Sequence, residues 1–307
     1  MDALSQIFTL SLLTQTVRIS VPYALAALGA TISELGGVVN IGIEGIILTG
    51  AFCSVLGNYY SGNPWVGIAA GVAGGVAVAL IHAVVSIKFR ANQIISGLAI
   101  NILAVGATKF FLKFFFHSSS NSGRISAFSK WDIPLISKIP LFGDLLSNPL
   151  ILLAIFLVAA AYVFVYKTVF GLRLRAVGEN PECADTLGIN VFLTRYAAVL
   201  ISGALAALGG VWLAYDQHQF TDGMSGGRGY IALTAMIFGK WNPLLAALAA
   251  LFFGFAEAAQ IQLQTMGLDI PVQFIQMIPY LLTIIVLAGT FSKAASPSAD
   301  GVPYEKE

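Results

Sequence analysis

Apolar residues run in long blocks along most of this chain, and short polar or Gly/Pro-bearing intervals separate the blocks. Segments such as 150–165 are apolar all round with no period-two alternation, which argues for helices in apolar surroundings and against barrel strands. A bilayer core takes about 20 apolar residues per helix, and in lipid a helix satisfies its own backbone hydrogen bonds. On that basis spans fall near 19–34, 45–61, 64–87, 92–113, 149–167, 196–215, 229–240, 242–262 and 272–290. The piece at 229–240 is too short to cross alone unless it is tilted or broken. The reading is an all-α, polytopic helical bundle of about nine spans, with eight to ten compatible with the soft boundaries.

The polar intervals divide the rest. Residues 1–18 lack a basic n-region and cleavage signature, and Ile7, Leu10 and Leu13 stand at helical spacing, so this stretch reads as an interfacial segment before a transmembrane domain at 19–291. Residues 114–148, with Arg124, Lys130, Asp132 and several prolines, read as an extracytoplasmic loop carrying one surface helix. Residues 168–195 hold the densest charge: Arg173, Arg175, Glu179, Glu182, Asp185 and Arg195. Five spans precede this second loop and four follow, and the two loops lie on opposite sides. The basic residues divide almost evenly between the faces, Lys88, Arg90, Lys167, Arg173, Arg175, Lys240 and Lys293 favouring a cytoplasmic 168–195 loop. Lys109 and Lys113 oppose that choice less than they count, because both can snorkel from a helix end. Residues 292–307, with Pro297, Pro303 and alternating charges, read as a disordered cytoplasmic tail.

Composition sharpens the class: 57% of residues are hydrophobic and 10% charged, too few charges to cover a water-facing surface. The net charge of +1 gives no field for nucleic acid. Cys53 and Cys183 fit neither a disulfide framework nor a paired metal site. No G-x-x-x-x-G-K-[S/T] phosphate loop occurs, so any ATP hydrolysis by that device belongs to another chain.

An order of features recurs. Gly36-Gly37 opens a short apolar piece, followed by Asn63-Pro64 and a Gly/Ala-rich span; Gly226-Gly227 opens another, followed by Asn242-Pro243 and an Ala/Gly-rich span. Five intervening spans would bring the two pieces in from opposite faces, and inverted Gly-interrupted segments point to a midplane solute site. The alternative is coincidence among small-residue helices that pack closely in any case. Near the first break, Asn40 and Glu44 share a helical face. A carboxylate at a helix centre in lipid costs ~2.5–3.5 kcal/mol, so Glu44 must face the bundle or a wet cavity, as a pathway wall or as a structural lock on exposed backbone. Gln93, Ser96 and Asn101 can line the same path. Glu257, Gln260 and Gln264 read either as a solvated helix end or as a site.

In the 168–195 loop, Asn180 is an N-cap, Pro181 a first helical residue and Gly188 a terminator, which predicts a short helix between two spans. A partner pushing on that helix gives it a purpose that mere connection does not. Gly223-Met224-Ser225-Gly226-Gly227 matches G-x-S-x-G, but no histidine follows Ser225 to serve as base, which argues against an intramembrane serine hydrolase. A secondary transporter would share the inverted repeat and would not need the capped helix.

The run Gly36 to Gly45 (GGVVNIGIEG) and the loop Arg175 to Ile189 (RAVGENPECADTLGI) together resemble the inner-membrane permeases of the branched-chain amino acid, ribose and nucleoside ATP-binding-cassette importers, with NIGIEG resembling the nucleoside branch. The resemblance covers about residues 15–292. It implies a non-catalytic permease subunit in a bacterial cytoplasmic membrane, importing a nucleoside or similar small polar solute, with simple sugars or branched-chain amino acids as alternatives. It also implies a coupling surface at Arg175, Gly178, Glu179, Asn180, Pro181, Glu182, Ala184, Asp185 and Gly188. The implied partners are a cytoplasmic ATPase holding ATP and Mg, a second permease and an extracytoplasmic binding lipoprotein; the chain itself binds no cofactor. Cys183 departs from the alanine usual in relatives, a change that keeps the residue small.

Overall fold

The computed structural model describes residues 10–126, 128, 145, 147–266, 271–279, 281, 284 and 296–306. In chain order its helices are α1 (Leu10–Leu35), α2 (Ile43–Ser61), α3 (Pro64–Ala83, continued by a π-turn Val84–Lys88) and α4 (Gln93–Phe116). There follow α5 (Pro149–Lys167), α6 (Val169–Glu179), α7 (Pro181–Thr186), α8 (Val191–Gln217), α9 (Arg228–Phe238), α10 (Pro243–Thr265) and α11 (Val272–Gln276). Among the described residues five helices are long and apolar enough to cross a membrane: α3 with its π-turn, α4, α5, α8 and α10. The protein is a multi-pass, all-helical membrane bundle; the last expected span, 272–290, falls partly outside the described residues, which hold α11 at its start, and any surface helix in 129–144 falls wholly outside them.

Asparagine starts many of these helices. Asn63, Asn92, Asn148, Asn180, Asn190 and Asn242 each accept a backbone N–H of the first turn on the side chain, and after Asn63, Asn148, Asn180 and Asn242 proline occupies the first helical position. Such a cap stabilises a helix by about 1 kcal/mol, and the fixed φ of proline suits a position whose N–H has no intrahelical partner.

α8 is the buried centre, packed on α1, α2 and α3. Small residues allow the approach: a Cβ on Gly75 would collide with Ala207, one on Gly203 with Ala79, and one on Gly210 with the Ile47 carbonyl. Where lipid supplies no hydrophobic drive between helices, such close backbone contact supplies dispersion in its place. α1 runs antiparallel to α8, since Trp212 meets Arg18, Gly209 meets Pro22 and Ser202 meets Gly29. Pro22 inside α1 has no N–H for the Arg18 carbonyl, and the Trp212 indole N–H donates to that carbonyl at 3.0 Å. The α1–α8 crossing thereby repairs the gap that its own proline opens.

Two expectations are corrected. Residues 10–18 are not a separate interfacial segment: α1 is continuous from Leu10 to Leu35, because nothing before Gly36 breaks it once Pro22 is compensated. Residues 1–9 lie outside the described set. The tail at 296–306 is not disordered but lies packed across the face that carries α7, with Pro297, Ala299 and Tyr304 buried. Its prolines and charges suggested solvation, yet its side chains and backbone find partners on α1, α6, α7 and α8, the α3–α4 turn and the break at Gly36 to Gly42, given below.

Candidate functional site

The first break, Gly36 to Gly42, leaves the end of α1 beside the N-terminal end of α8, where a Cβ on Gly37 (φ +81°) would press on Arg195. The second, 218–227, follows the C-terminal end of α8, so the breaks enter the bundle from opposite ends. α9 has 11 residues, a rise of about 16 Å and roughly half a bilayer core. Three residues past its end at Phe238, the Trp241 indole donates to Glu34 Oε2 at 2.7 Å on the side of the first break. The start of α9 therefore sits near mid-depth.

There the two breaks meet on one side chain. Glu44, in the first turn of α2, accepts the Gly227 N–H on Oε1 at 2.8 Å and the Gly229 N–H on Oε2 at 2.7 Å. Gly227 caps α9 at φ +83° and offers no side chain, so a carboxylate from another helix takes the donors that a local cap would take. The neighbouring donors are engaged too: Arg228 N–H goes to Ser225 O at 2.9 Å and Tyr230 N–H to Gly227 O at 3.0 Å. A Cβ on Gly229 would lie 2.6 Å from the Glu44 backbone, so only glycine admits this approach.

The irregular backbone of the first break is matched group by group. Val39 N–H donates to Gln93 Oε1 at 2.7 Å, and the Val39 carbonyl pairs with His82 Nε2 at 2.9 Å. Asn101 takes the Gly45 N–H at 2.8 Å and donates to Ile41 O at 3.0 Å and the Tyr230 hydroxyl at 3.1 Å. Ser33 Oγ donates to Val38 O at 2.6 Å, and Ser96 Oγ lies 3.0 Å from His82 Nδ1. Asn40 is wholly buried and donates to Ser202 Oγ at 3.2 Å, while its side-chain carbonyl oxygen has no partner among the described residues. Non-helical backbone at membrane depth requires such cover. Of the residues singled out in the sequence, Gln93, Asn101 and Glu44 thus hold backbone around the two breaks, Glu44 reaching Gly227, while Ser96 meets His82 and Asn40 meets Ser202 of α8; Gly36 and Gly37 pack instead against Leu174, Ala198 and Arg195, and Gly226 lies against Arg228.

Sequence reasoning passed over His82, Gly229, Arg228 and Tyr23. Arg228 donates to Glu257 Oε1 at 3.2 Å and to the Met224 and Ser225 carbonyls, and Tyr23 hydrogen-bonds the other oxygen of Glu257. A charged residue opening an apolar segment was the available signal for Arg228. Ser225 is buried, and His82 and His218 are engaged elsewhere, His218 with the Tyr215 carbonyl at 2.6 Å.

On the face carrying α7, Asn180 Oδ1 accepts the Cys183 N–H at 2.9 Å, Pro181 starts the helix and Gly188 (φ +79°) follows its end. Glu182 and Cys183 are exposed, and Ala184 is buried against Val177, Val191 and Tyr304. Gly178 admits the Leu35 carbonyl where a Cβ would collide, and Arg175 stacks 5.0 Å from the Tyr166 ring. Glu179 and Asp185 point to the tail.

Residues 12–287 match the family described as branched-chain amino acid transport system / permease component. The chain belongs to this family. Among its relatives, the guanosine ABC transporter permease protein NupQ of Bacillus subtilis (strain 168) is 43% identical over 95% of each chain. The nucleoside ABC transporter permease protein NupC of Lactococcus lactis subsp. cremoris (strain MG1363) is 42% identical over 94% of each. TsgC13 of Haloferax volcanii, named provisionally as a glucose ABC transporter permease protein, is 34% identical over 98% of this chain and 99% of its own. The fold resembles a solved ABC transporter described as of metal-chelate type, in an inward-facing conformation, with TM-score 0.51, 15% identity, and 94% and 90% of the two chains covered. A permease of this family is a non-catalytic membrane subunit that works with a separate ATPase and a binding protein. Among the described residues no three His, Cys, Asp or Glu side chains assemble as a metal site.

Proposed function

We propose that this chain is the membrane permease of an ATP-binding-cassette importer for nucleosides in a bacterial cytoplasmic membrane. The observation that carries the solute class is the 42–43% identity, over nearly full length, to two relatives named for guanosine and nucleoside transport, against 34% to one named for glucose. The partners on this reading are a cytoplasmic ATPase, a second permease subunit and an extracytoplasmic binding lipoprotein.

In the mechanism, α7 is the coupling helix. Its Asn180 cap and Pro181 start make a rigid lever, and its exposed Glu182 faces a partner. The junction at Glu44 joins the start of α2 to the start of the half-helix α9, where breaks that open from opposite ends of the bundle meet, as alternating access by rocking of two repeats requires. Gly36, Gly37, Asn40, Glu44, Gln93, Ser96, Asn101, Gly226 and Gly227 border the solute path by holding its broken backbone, without reacting with the solute. The loop 114–148 is extracytoplasmic and 168–195 cytoplasmic.

Uptake of labelled guanosine into cells with the membrane potential collapsed and ATP maintained tests the reading, with glucose and leucine as competitors. Potential-independent uptake blocked by excess nucleoside alone is expected. Blocking by glucose, or dependence on the potential, would overturn it. A cysteine replacing Thr186 should crosslink to the ATPase and resist impermeant thiol reagents outside the cell; labelling from outside would reverse the topology.

A further inference from the structure

We propose that residues 296–306 form a transmission strap that passes movement of α7 to the first broken helix. The inference rests on the coupling role of α7 proposed above and adds a second element to it. Its basis is the route of the tail. Ala299 N–H donates to the Gly178 carbonyl at 2.9 Å, and Ser298 Oγ donates to Glu179 at 2.9 Å, anchoring the strap to the end of α6. The Asp300 carboxyl lies beside Glu34 at the end of α1, and the Ala299 carbonyl lies against Gly37. Gly301 approaches the Val39 side chain inside the break itself. The Val302 carbonyl accepts from Arg195 Nη1 at 2.9 Å, at the start of α8. The Tyr304 ring packs 5.4 Å from Phe192 and joins the buried cluster of Val177, Ala184 and Val191, which is the underside of α7. Glu305 pairs with Arg90 in the turn between α3 and α4, and Lys306 pairs with Asp185 of α7 at 3.2 Å.

Eleven consecutive residues thus touch α7, α6, α8, the α3–α4 turn and the break at Gly36 to Gly42. α7 packs through Ala184 on Val177 of α6 and Val191 of α8, so its own contacts reach the ends of those two helices. The strap gives it a second route, sideways, into the loop whose Val39 and Ile41 are held by α3 and α4. Burial of Arg195, an unusual place for a guanidinium, is explained by the same docking, because the strap supplies the carbonyl and the Asp300 carboxyl beside it.

The test uses the full complex with ATPase and binding protein in vesicles, reading guanosine uptake per ATP hydrolysed. Deletion of 296–307 should lower that ratio about tenfold, within the range of ordinary coupling energies, while hydrolysis persists. Tyr304→Ala should act in the same direction and Tyr304→Phe should retain most of the ratio. An unchanged or higher ratio after deletion overturns the strap. Should the deletion fail to assemble, the exposed Asp185–Lys306 pair decides. Asp185→Lys and Lys306→Asp should each lower the ratio, by up to about fivefold for an exposed pair, and the double reversal should restore it. A double variant as impaired as Asp185→Lys alone overturns the strap. Loss of coupling in Glu182→Lys with an intact ratio in the tail variants would leave the coupling helix standing without the strap; normal coupling in Glu182→Lys would count against the helix itself.

Discussion

Replacing Glu44 separates the acceptor geometry of the junction from its charge. The carboxylate takes two N–H donors, from Gly227 and Gly229, on its two oxygens. Hydrogen bonds to a charged group contribute about 1.5–3 kcal/mol each. The helix N-terminus adds about 0.3–2 kcal/mol for a negative charge. Glu44→Gln keeps length and one oxygen, and turns an NH2 toward the other N–H, so one bond is lost: about 2–5 kcal/mol with the dipole contribution included. Glu44→Leu removes both acceptors and leaves two backbone donors at a half-buried position without their protein partner, for about 3–8 kcal/mol with the same dipole contribution. The order Leu worse than Gln, with a gap of about one such bond, identifies the residue as a joint. The assay is equilibrium unfolding of the purified chain in nanodiscs, with uptake measured beside it. Equal stability of Glu44→Leu and the wild type within about 0.5 kcal/mol, the scatter of ordinary surface substitutions, would refute the joint. So would a Gln variant as damaged as the Leu variant, because charge alone would then account for the effect.

Other consequences follow from single contacts. Gly229→Ala places a methyl 2.6 Å from the Glu44 backbone and should destabilise the bundle by about 1–3 kcal/mol, as overpacking does, read as a lowered unfolding midpoint. Trp212→Phe leaves the Arg18 carbonyl without the donor that replaces the missing Pro22 N–H, at a cost of about 1–3 kcal/mol in the same assay; Trp212→Phe in a Pro22→Ala background should cost less, since the helix can then close its own bond. Burial pushes the Asp300 carboxyl up to about 6 from 3.8, with Arg195, Glu34 and the Gly301 backbone holding it lower than burial alone would. A carboxyl whose docked pKa is raised binds protons more readily docked than free, so docking of the tail weakens as pH rises from about 4 to about 6, and Asp300→Asn should flatten that dependence. Protease accessibility of the tail between about pH 4 and about pH 7 measures it.

Much of this architecture was written in short polar signals. Asparagine-proline pairs at 63–64, 148–149, 180–181 and 242–243 marked helix starts that the structure places at those residues, because a cap and a preset φ act locally whatever the solvent. The pairs Gly36-Gly37 and Gly226-Gly227 likewise marked the two breaks, with Gly37, Gly226 and Gly227 at positive φ. Three things were not legible. That residues 10–18 extend the first helix depended on a tryptophan almost 200 positions away repairing Pro22. The docked tail was hidden because proline and alternating charge describe a solvated segment as well as one that lies along a polar helix end. The partner of Glu44 was invisible too, since one carboxylate four residues from Asn40 says nothing of the glycines 183 and 185 positions later.

The placement of polar side chains explains how a bundle glued by small residues can also move. α8 contacts α2 and α3 through glycine and alanine, where backbones touch and any sliding meets hard atoms at once. The contact between α2 and α9 is of another kind: two hydrogen bonds to one flexible side chain, flanked by glycines that tolerate large changes of φ. Directional bonds can be exchanged for bonds to a solute or to water, whereas a packed glycine stripe can only be kept or lost. The polar residues that sequence reading assigned to a solute path therefore serve first to cover broken backbone. That service is what leaves the path open, because a continuous helix at 36–42 or 223–227 would carry its hydrogen bonds internally and fill the space with side chains. On the function proposed above, movement is confined to the breaks, the rigid parts transmit it, and Glu44, which joins α2 to the start of α9, is the group on which the two halves of the bundle turn.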